Sequence, residues 1–188
     1  MFNCILLLMK KQISEKIKIP SGVEVEIEGN KIIVKGKNGT NERSFSLSSL
    51  KLEKKGDEII IGTDKGSKKE KMRMYTIVAH IKNMMKGVEE KFEYKLKICF
   101  GHFPITVEIK GKEAIIKNFL GEKVARKAKI PEGAEIEVSG DIITVQSKDI
   151  ETAGQAAANL ETATRIPNRD RRVFQDGIFM TSKCGEAI

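Results

Sequence analysis

A twelve-residue pattern occurs twice in this chain and constrains its fold more than any other feature. Ile19-Pro20-Ser21-Gly22-Val23-Glu24-Val25-Glu26-Ile27-Glu28-Gly29-Asn30 returns as Ile130-Pro131-Glu132-Gly133-Ala134-Glu135-Ile136-Glu137-Val138-Ser139-Gly140-Asp141, at a constant offset of 111 residues. In both copies apolar residues alternate with glutamate, the period-two pattern of a half-buried strand. Gly29-Asn30 and Gly140-Asp141 then supply two-residue hairpin chemistry, because glycine reaches positive φ without a Cβ clash. The return strands are Ile32-Ile33-Val34 and Ile142-Ile143-Thr144-Val145. Two copies at this spacing predict duplicated domains rather than a solenoid. They also predict that hairpins 24–34 and 135–145 overlay, with Gly29 and Gly140 at matching turns.

The rest of the chain fits two such domains. In the first half, strand-like stretches near 44–47, 50–53 and 58–62 precede a helix over 68–85. Met74, Ile77, Val78, Ile81, Met84 and Met85 fall on one helical face; Lys69, Arg73, Thr76, His80 and Asn83 fall on the other, and Gly87 is the expected stop. In the second half, strands are expected near 92–100, 105–110 and 113–118, before the repeated hairpin. A helix over 150–165 follows, with Asp149 as N-cap, Ile150, Ala153, Ala157 and Leu160 as its buried stripe, and Pro167 as the stop. The predicted class is α+β: two similar duplicated domains, each of antiparallel strands packed with one helix. The expected bounds are a 1–9 extension, an N-terminal domain over 10–87, and a C-terminal domain over 88–188 that ends in a basic tail.

Charge narrows the function. The formal net charge is +8 and the pI about 9.3, a surplus suited to polyanions, since each cation beside a phosphate releases a counterion. Residues 1–87 carry 18 basic and 10 acidic side chains; residues 88–188 carry 16 of each. That neutrality hides segregation: acids gather at Glu89, Glu90 and Glu93 and at Glu132, Glu135 and Glu137, and bases at Lys117, Lys123, Arg126, Lys127 and Lys129. The apolar run Ile5 to Met9 is too short for a membrane span and lacks the flanks of a signal peptide, so the expected location is cytoplasmic.

Enzymatic readings find little support. Cys4, Cys99 and Cys184 are far apart, with no paired spacing for a disulfide framework or zinc. Cys99 and His102 are near neighbours, but Cys99 sits in an apolar strand-like run where an inert thiol is usual. No phosphate-loop or dinucleotide motif occurs; Gly36-Lys37-Asn38-Gly39 lacks the strand-to-helix context. No catalysis, metal or cofactor is expected.

Two basic segments remain. Residues 62–73 bring Lys68, Lys69 and Arg73 to a helix start, either as phosphate contacts or as a solvated helix entrance. Residues 165–177 hold Arg165, Arg169, Arg171 and Arg172 after a helix end, with Phe174 placed to anchor the segment. Arginine presents a planar fork of donors that matches phosphate oxygens and guanine edges. Gln155, Asn159 and Thr162 share the adjacent polar helix face, where short side chains permit close approach of a backbone. The competing reading is a charged tail with a local Asp170 ion pair.

The run 149–161, continued by Ala163-Thr164-Arg165-Ile166 and Asn168-Arg169-Asp170-Arg171-Arg172-Val173-Phe174-Gln175-Asp176-Gly177-Ile178, resembles the C-terminal signature of the large-subunit ribosomal protein six family, in its archaeal and eukaryotic form. His102-Phe103-Pro104-Ile105, Asn118-Phe119-Leu120-Gly121-Glu122-Lys123 and Asn83-Met84-Met85-Lys86-Gly87-Val88 match that branch too. The resemblance runs from about Met9 to near the end; the leading 1–8 segment departs from the pattern. It implies a non-enzymatic constituent of the large ribosomal subunit. Its expected partners are ribosomal RNA near the base of the sarcin–ricin stem, neighbouring large-subunit proteins and nearby translation factors. It assigns the main contacts to Arg165, Asn168, Arg169, Arg171 and Arg172, and more loosely to Gln155, Asn159 and Lys183. The bacterial branch differs after the helix, so its contacts do not transfer. The alternatives are a stand-alone RNA-binding module or assembly factor, or an RNA-processing enzyme using Cys99 or His102.

Overall fold

The structure, a computed structural model, describes residues 13–47, 50–64, 66–170 and 172–188. The expected 1–9 extension lies outside the described residues. The chain divides into two compact units between Glu89 and Glu90.

The first unit contains β1 (Ile13–Lys18), β2 (Glu24–Glu28), β3 (Lys31–Gly36), β4 (Gly39–Ser44), β5 (Lys51–Lys55), β6 (Glu58–Thr63) and α1 (Lys68–Glu89). Its strands form two antiparallel sheets in the orders β1-β6-β5 and β2-β3-β4. The second unit contains β7 (Phe92–Cys99), β8 (Thr106–Lys110), β9 (Glu113–Lys117), β10 (Arg126–Lys129), β11 (Glu135–Ser139), β12 (Ile142–Ser147), α2 (Ile150–Ala163), β13 (Gly177–Lys183) and β14 (Glu186–Ala187). Its sheets run β10-β9-β8 and β11-β12-β7-β13-β14. Alternation does what it predicts: Val25, Ile32 and Val34 point inward while Glu24, Glu26 and Glu28 stay outside or at the margin. Each unit has its own core. One gathers the inward strand residues under the Met74, Ile77, Val78, Ile81, Met84 and Met85 face of α1. The other packs Leu96, Ile116, Ile143, Val145 and Ile178 against Ala153, Ala156, Ala157 and Leu160 of α2.

The duplication is real, but its offset is not 111. Taken in chain order, β1-β6-β5 corresponds to β7-β12-β11 and β2-β3-β4 to β8-β9-β10, with one helix after each set. The tight turn at Gly29 then maps onto Gly111, an offset of 82, and that at Gly56 onto Gly140, an offset of 84. Burial follows this alignment: Val25 pairs with Val107, Ile32 with Ala114, Ile59 with Ile143, Ile61 with Val145, and the buried hydroxyl of Thr63 with that of Ser147. Hairpin 24–34 therefore has its counterpart in β8–β9, and hairpin 135–145 in β5–β6. The 111-residue match joins hairpins of different rank. All four share alternating apolar residues and a glycine at φ 59–60°, and the register Glu24↔Lys35 recurs as Glu135↔Gln146. Local geometry repeats four times, so residue similarity alone does not reveal chain order.

Three element bounds also differ from expectation. The fourth strand occupies Gly39–Ser44 and not 44–47. Gly87 does not stop α1, which runs to Glu89, because Val88 is fully buried and Asn38 holds the terminal carbonyls: its backbone N–H donates to Val88 O at 3.0 Å and its Nδ2 to Glu89 O at 3.0 Å. In the second helix, Thr164 ends the run before Pro167 is reached; its Oγ1 donates to Glu161 O at 3.1 Å and accepts from the Ile178 N–H at 3.0 Å. Asp149 does cap the other end, Oδ1 accepting from the Glu151 N–H at 3.4 Å.

Candidate nucleic-acid interface

The basic segment after α2 is a closed loop. Thr164, buried to 4% exposure, joins the helix end to the start of β13, so residues 165–177 leave and return at one place. Asp176 Oδ1 accepts from the Gly101 N–H at 2.7 Å and pins the returning end. Phe174 is half-buried over a crevice of about 10 Å³ lined by Thr164, Ile166 and Phe179, room for one water at most.

Inside the loop Asp170 is the organiser. Its carbonyl accepts from the Val173 and Phe174 N–H groups at 3.1 and 3.0 Å. Its Oδ1 accepts from the Arg172 N–H at 2.9 Å, and its carboxylate takes the Arg172 guanidinium at 2.9–3.2 Å. Those bonds, side chain first and backbone second, hold the Asp170 carboxyl below its ordinary range. The local ion pair thus exists beside the arginine cluster. Arg169 lies over the Phe174 ring, 4.6 Å from its centroid, a cation–π contact. Asn168 takes φ 58°, a left-handed conformation asparagine tolerates. Arg165, Asn168, Arg169 and Arg172 are all exposed; Arg171 lies outside the described residues.

The other expected residues divide. Gln155 Nε2 donates to Asn159 Oδ1 at 2.8 Å, and Asn159 Nδ2 donates to Lys129 O at 2.8 Å. Asn159 therefore binds α2 to β10. Lys183 ends β13 and Gly177 begins it, so the two are roughly 20 Å apart at ~3.3 Å per residue; Lys183 is not part of the loop cluster. Lys68, Lys69 and Arg73 lie exposed in the opening turns of α1. A capping box starts that helix: Ser67 Oγ accepts from the Glu70 N–H at 3.3 Å, and Glu70 Oε2 from the Ser67 N–H at 2.7 Å. Ser67 and Glu70 stand three apart in the sequence, a legible signal that the charge reading passed over. Cys99 pairs with Gly177 in the sheet, while His102 packs edge-on against Phe103 at 4.8 Å. Among the described residues no group of three or more His, Cys, Asp or Glu is placed to hold a metal ion, and no helix is long and apolar enough to cross a membrane.

Arg126, legible in the sequence only as one of a cluster of bases, has a role that the charge pattern does not show. Nη1 donates to Ala163 O at 3.0 Å and to Arg165 O at 3.1 Å. Nε and Nη2 donate to the two oxygens of Glu122 at 2.8 and 2.6 Å, which lowers the Glu122 carboxyl from its ordinary range. The guanidinium stacks 4.3 Å from the centroid of the buried Phe119 ring. Glu122 lies four residues before Arg126, but only the fold brings the Ala163 and Arg165 carbonyls to it, so no spacing rule reveals the brace.

The family model described as Ribosomal protein L6 matches this chain twice, over residues 19–91 and 103–177. The second match ends at Gly177 and so includes the arginine loop. A protein of Sulfurisphaera tokodaii named Large ribosomal subunit protein uL6 is 45% identical over 90% of this chain and 91% of its own length. Its namesake in Methanobrevibacter smithii is 44% identical, covering 91% and 96%, and that in Staphylothermus marinus 48%, covering 89% and 93%. With two matches that span most of both units, and with archaeal relatives aligned nearly end to end, this chain belongs to the Ribosomal protein L6 family.

Proposed function

We propose that this chain is a structural, non-catalytic constituent of the large ribosomal subunit that binds ribosomal RNA through the 165–177 loop. The observation that carries the reading is that loop's construction. A buried threonine closes it, Asp170 shapes it, and it exposes Arg165 and Arg169 together with Arg172, whose guanidinium is shared with Asp170. Guanidinium groups on a pre-shaped loop suit a phosphate backbone, since ordering costs are met on folding. The relatives' name, Large ribosomal subunit protein uL6, supports the assembly. The resemblance read from 149–178 supports contact near the sarcin–ricin stem and the translation-factor site. Lys68, Lys69 and Arg73 form a second, weaker patch, and Gln155 flanks the loop from α2.

The test compares two triple variants against a ribosomal RNA fragment spanning that stem. Arg169, Arg171 and Arg172 changed together to Ala weaken binding, and the slope of log affinity against log salt becomes shallower by ~2–3 units. Lys51, Lys54 and Lys55 changed to Ala serve as the control; Lys51 is paired with Asp64, Lys55 with Glu53, and Lys54 donates to Val25 O. Equal loss in both variants means diffuse electrostatics and defeats the site assignment. Sedimentation with large subunits through a high-salt wash separates a resident constituent from an assembly factor, which dissociates.

A further inference from the structure

We propose that Arg126 is a positioning residue for RNA binding, fixing the direction in which the arginine loop leaves α2 without touching the RNA itself. The inference rests on the loop reading above. A helix ends in carbonyls without partners, and a cation there is favoured by the helix dipole. Arg126 meets that need at the last residue of α2, Ala163, and also holds the carbonyl of the loop's first arginine, Arg165. One guanidinium thus spans the junction between rigid helix and binding loop.

The brace is immobilised from behind. Glu122 takes the other edge of the guanidinium with two bonds, and the Phe119 ring covers one face. Those two residues sit in a turn with three positive-φ positions, Asn118 at φ 57°, Leu120 at φ 50° and Gly121 at φ 74°. Asn118 Nδ2 secures that turn by donating to Pro104 O at 3.0 Å. The side chain is 24% exposed, with both edges and a face engaged, a poor state for contacting a phosphate.

The internal duplication supplies an independent comparison. In the first unit the equivalent helix end is held by Asn38, a short neutral side chain. The position matching Arg126 is Asn41: Asn41 faces Val34 as Arg126 faces Ile116, and those partners correspond. The arginine brace therefore appears in the unit that carries the arginine loop, where the helix end needs both closure and a fixed exit.

Affinity of the full chain for the same RNA fragment, measured across salt concentrations, tests this. Arg126→Ala lowers affinity about tenfold at every salt, because the loop must be ordered on binding, while the slope against log salt stays unchanged and loop amides exchange faster. Arg126→Lys keeps the charge but lacks the fork, so it behaves like Ala. Full recovery by Lys, a slope shallower by ~1 unit in Arg126→Ala, or unchanged affinity in Arg126→Ala each overturns the proposal. If Arg126→Ala does not fold, Glu122→Gln is read in the same assay: weaker binding at unchanged slope supports the brace, and no change overturns it. The Arg169, Arg171 and Arg172 triple variant separates the two levels. Loss there with none at Arg126 removes only this inference, whereas no loss in the triple variant removes the loop reading itself.

Discussion

Asn159 has its amide divided between Gln155 and the Lys129 carbonyl, and so acts as a tie between α2 and β10. Asn159→Ala leaves that carbonyl without its partner, and the expected cost is about 1 kcal/mol of stability, read from urea denaturation. Unchanged stability with weakened RNA binding is the opposite result and assigns Asn159 to RNA contact. Glu122 gives a pH prediction. Its carboxyl titrates below the ordinary 4.5 in the folded chain, chiefly through the hydrogen bond from Arg126. A depressed folded-state value means that the contribution is fully present above the unfolded value and is lost as pH falls through the folded one. Wild type should therefore exceed Glu122→Gln in stability at pH 7, with the gap closing below about pH 4.5. A gap of constant size across that window shows that the carboxylate's charge is not what matters.

At the scale of elements, helix α1 is fitted to its sheet at one tight point. A Cβ added to Gly36 meets Val88 Cγ1 at 2.2 Å, and Val88 is a fully buried β-branched residue that has nowhere to turn. Gly36→Ala should cost ~1–3 kcal/mol by overpacking; a thermal melt within a degree of wild type shows that the helix end yields. Gly154 in α2 is the contrary case. Its added Cβ lies 3.4 Å from Tyr94 Oη, ordinary contact, and burial with help from Cys184 pushes that phenol up to about 12, so it stays neutral. Gly154→Ala should stabilise by about 0.5–1 kcal/mol through helix propensity, and a lowered melting temperature counts against this. These two helices show what a sequence discloses. The apolar faces were legible because spacing alone sets them. The ends were not, because Asn38, Thr164 and Arg126 reach them through the fold. The arginine loop was legible as a charge cluster, and its Asp170 core as an adjacent acid. The roles of Asn159 and Arg126 depend on carbonyls 30 and 37–39 residues away.

For the whole molecule, net charge and the proposed site point to different halves. The surplus of +8 resides in residues 1–87, whereas residues 88–188 are neutral overall and hold the arginine loop. Each unit has a separate hydrophobic core, so fragments cut between Glu89 and Glu90 should each fold, as domains of this size commonly do. Two accounts of RNA binding then diverge. If net charge governs, the basic first unit binds best and the neutral second unit hardly at all. If built geometry governs, fragment 90–188 retains most of the affinity and the full salt slope of the loop, because counterion release is counted at the phosphates actually contacted. The second outcome is expected, since the loop is closed by Thr164, Asp176 and Arg126 entirely within that fragment. Fragment 1–89 should bind weakly, with little preference for the cognate stem over an unrelated duplex. Circular dichroism of both fragments establishes folding first; a folded 90–188 that fails to bind, beside a basic fragment that binds well, assigns the function to charge and removes the loop from it.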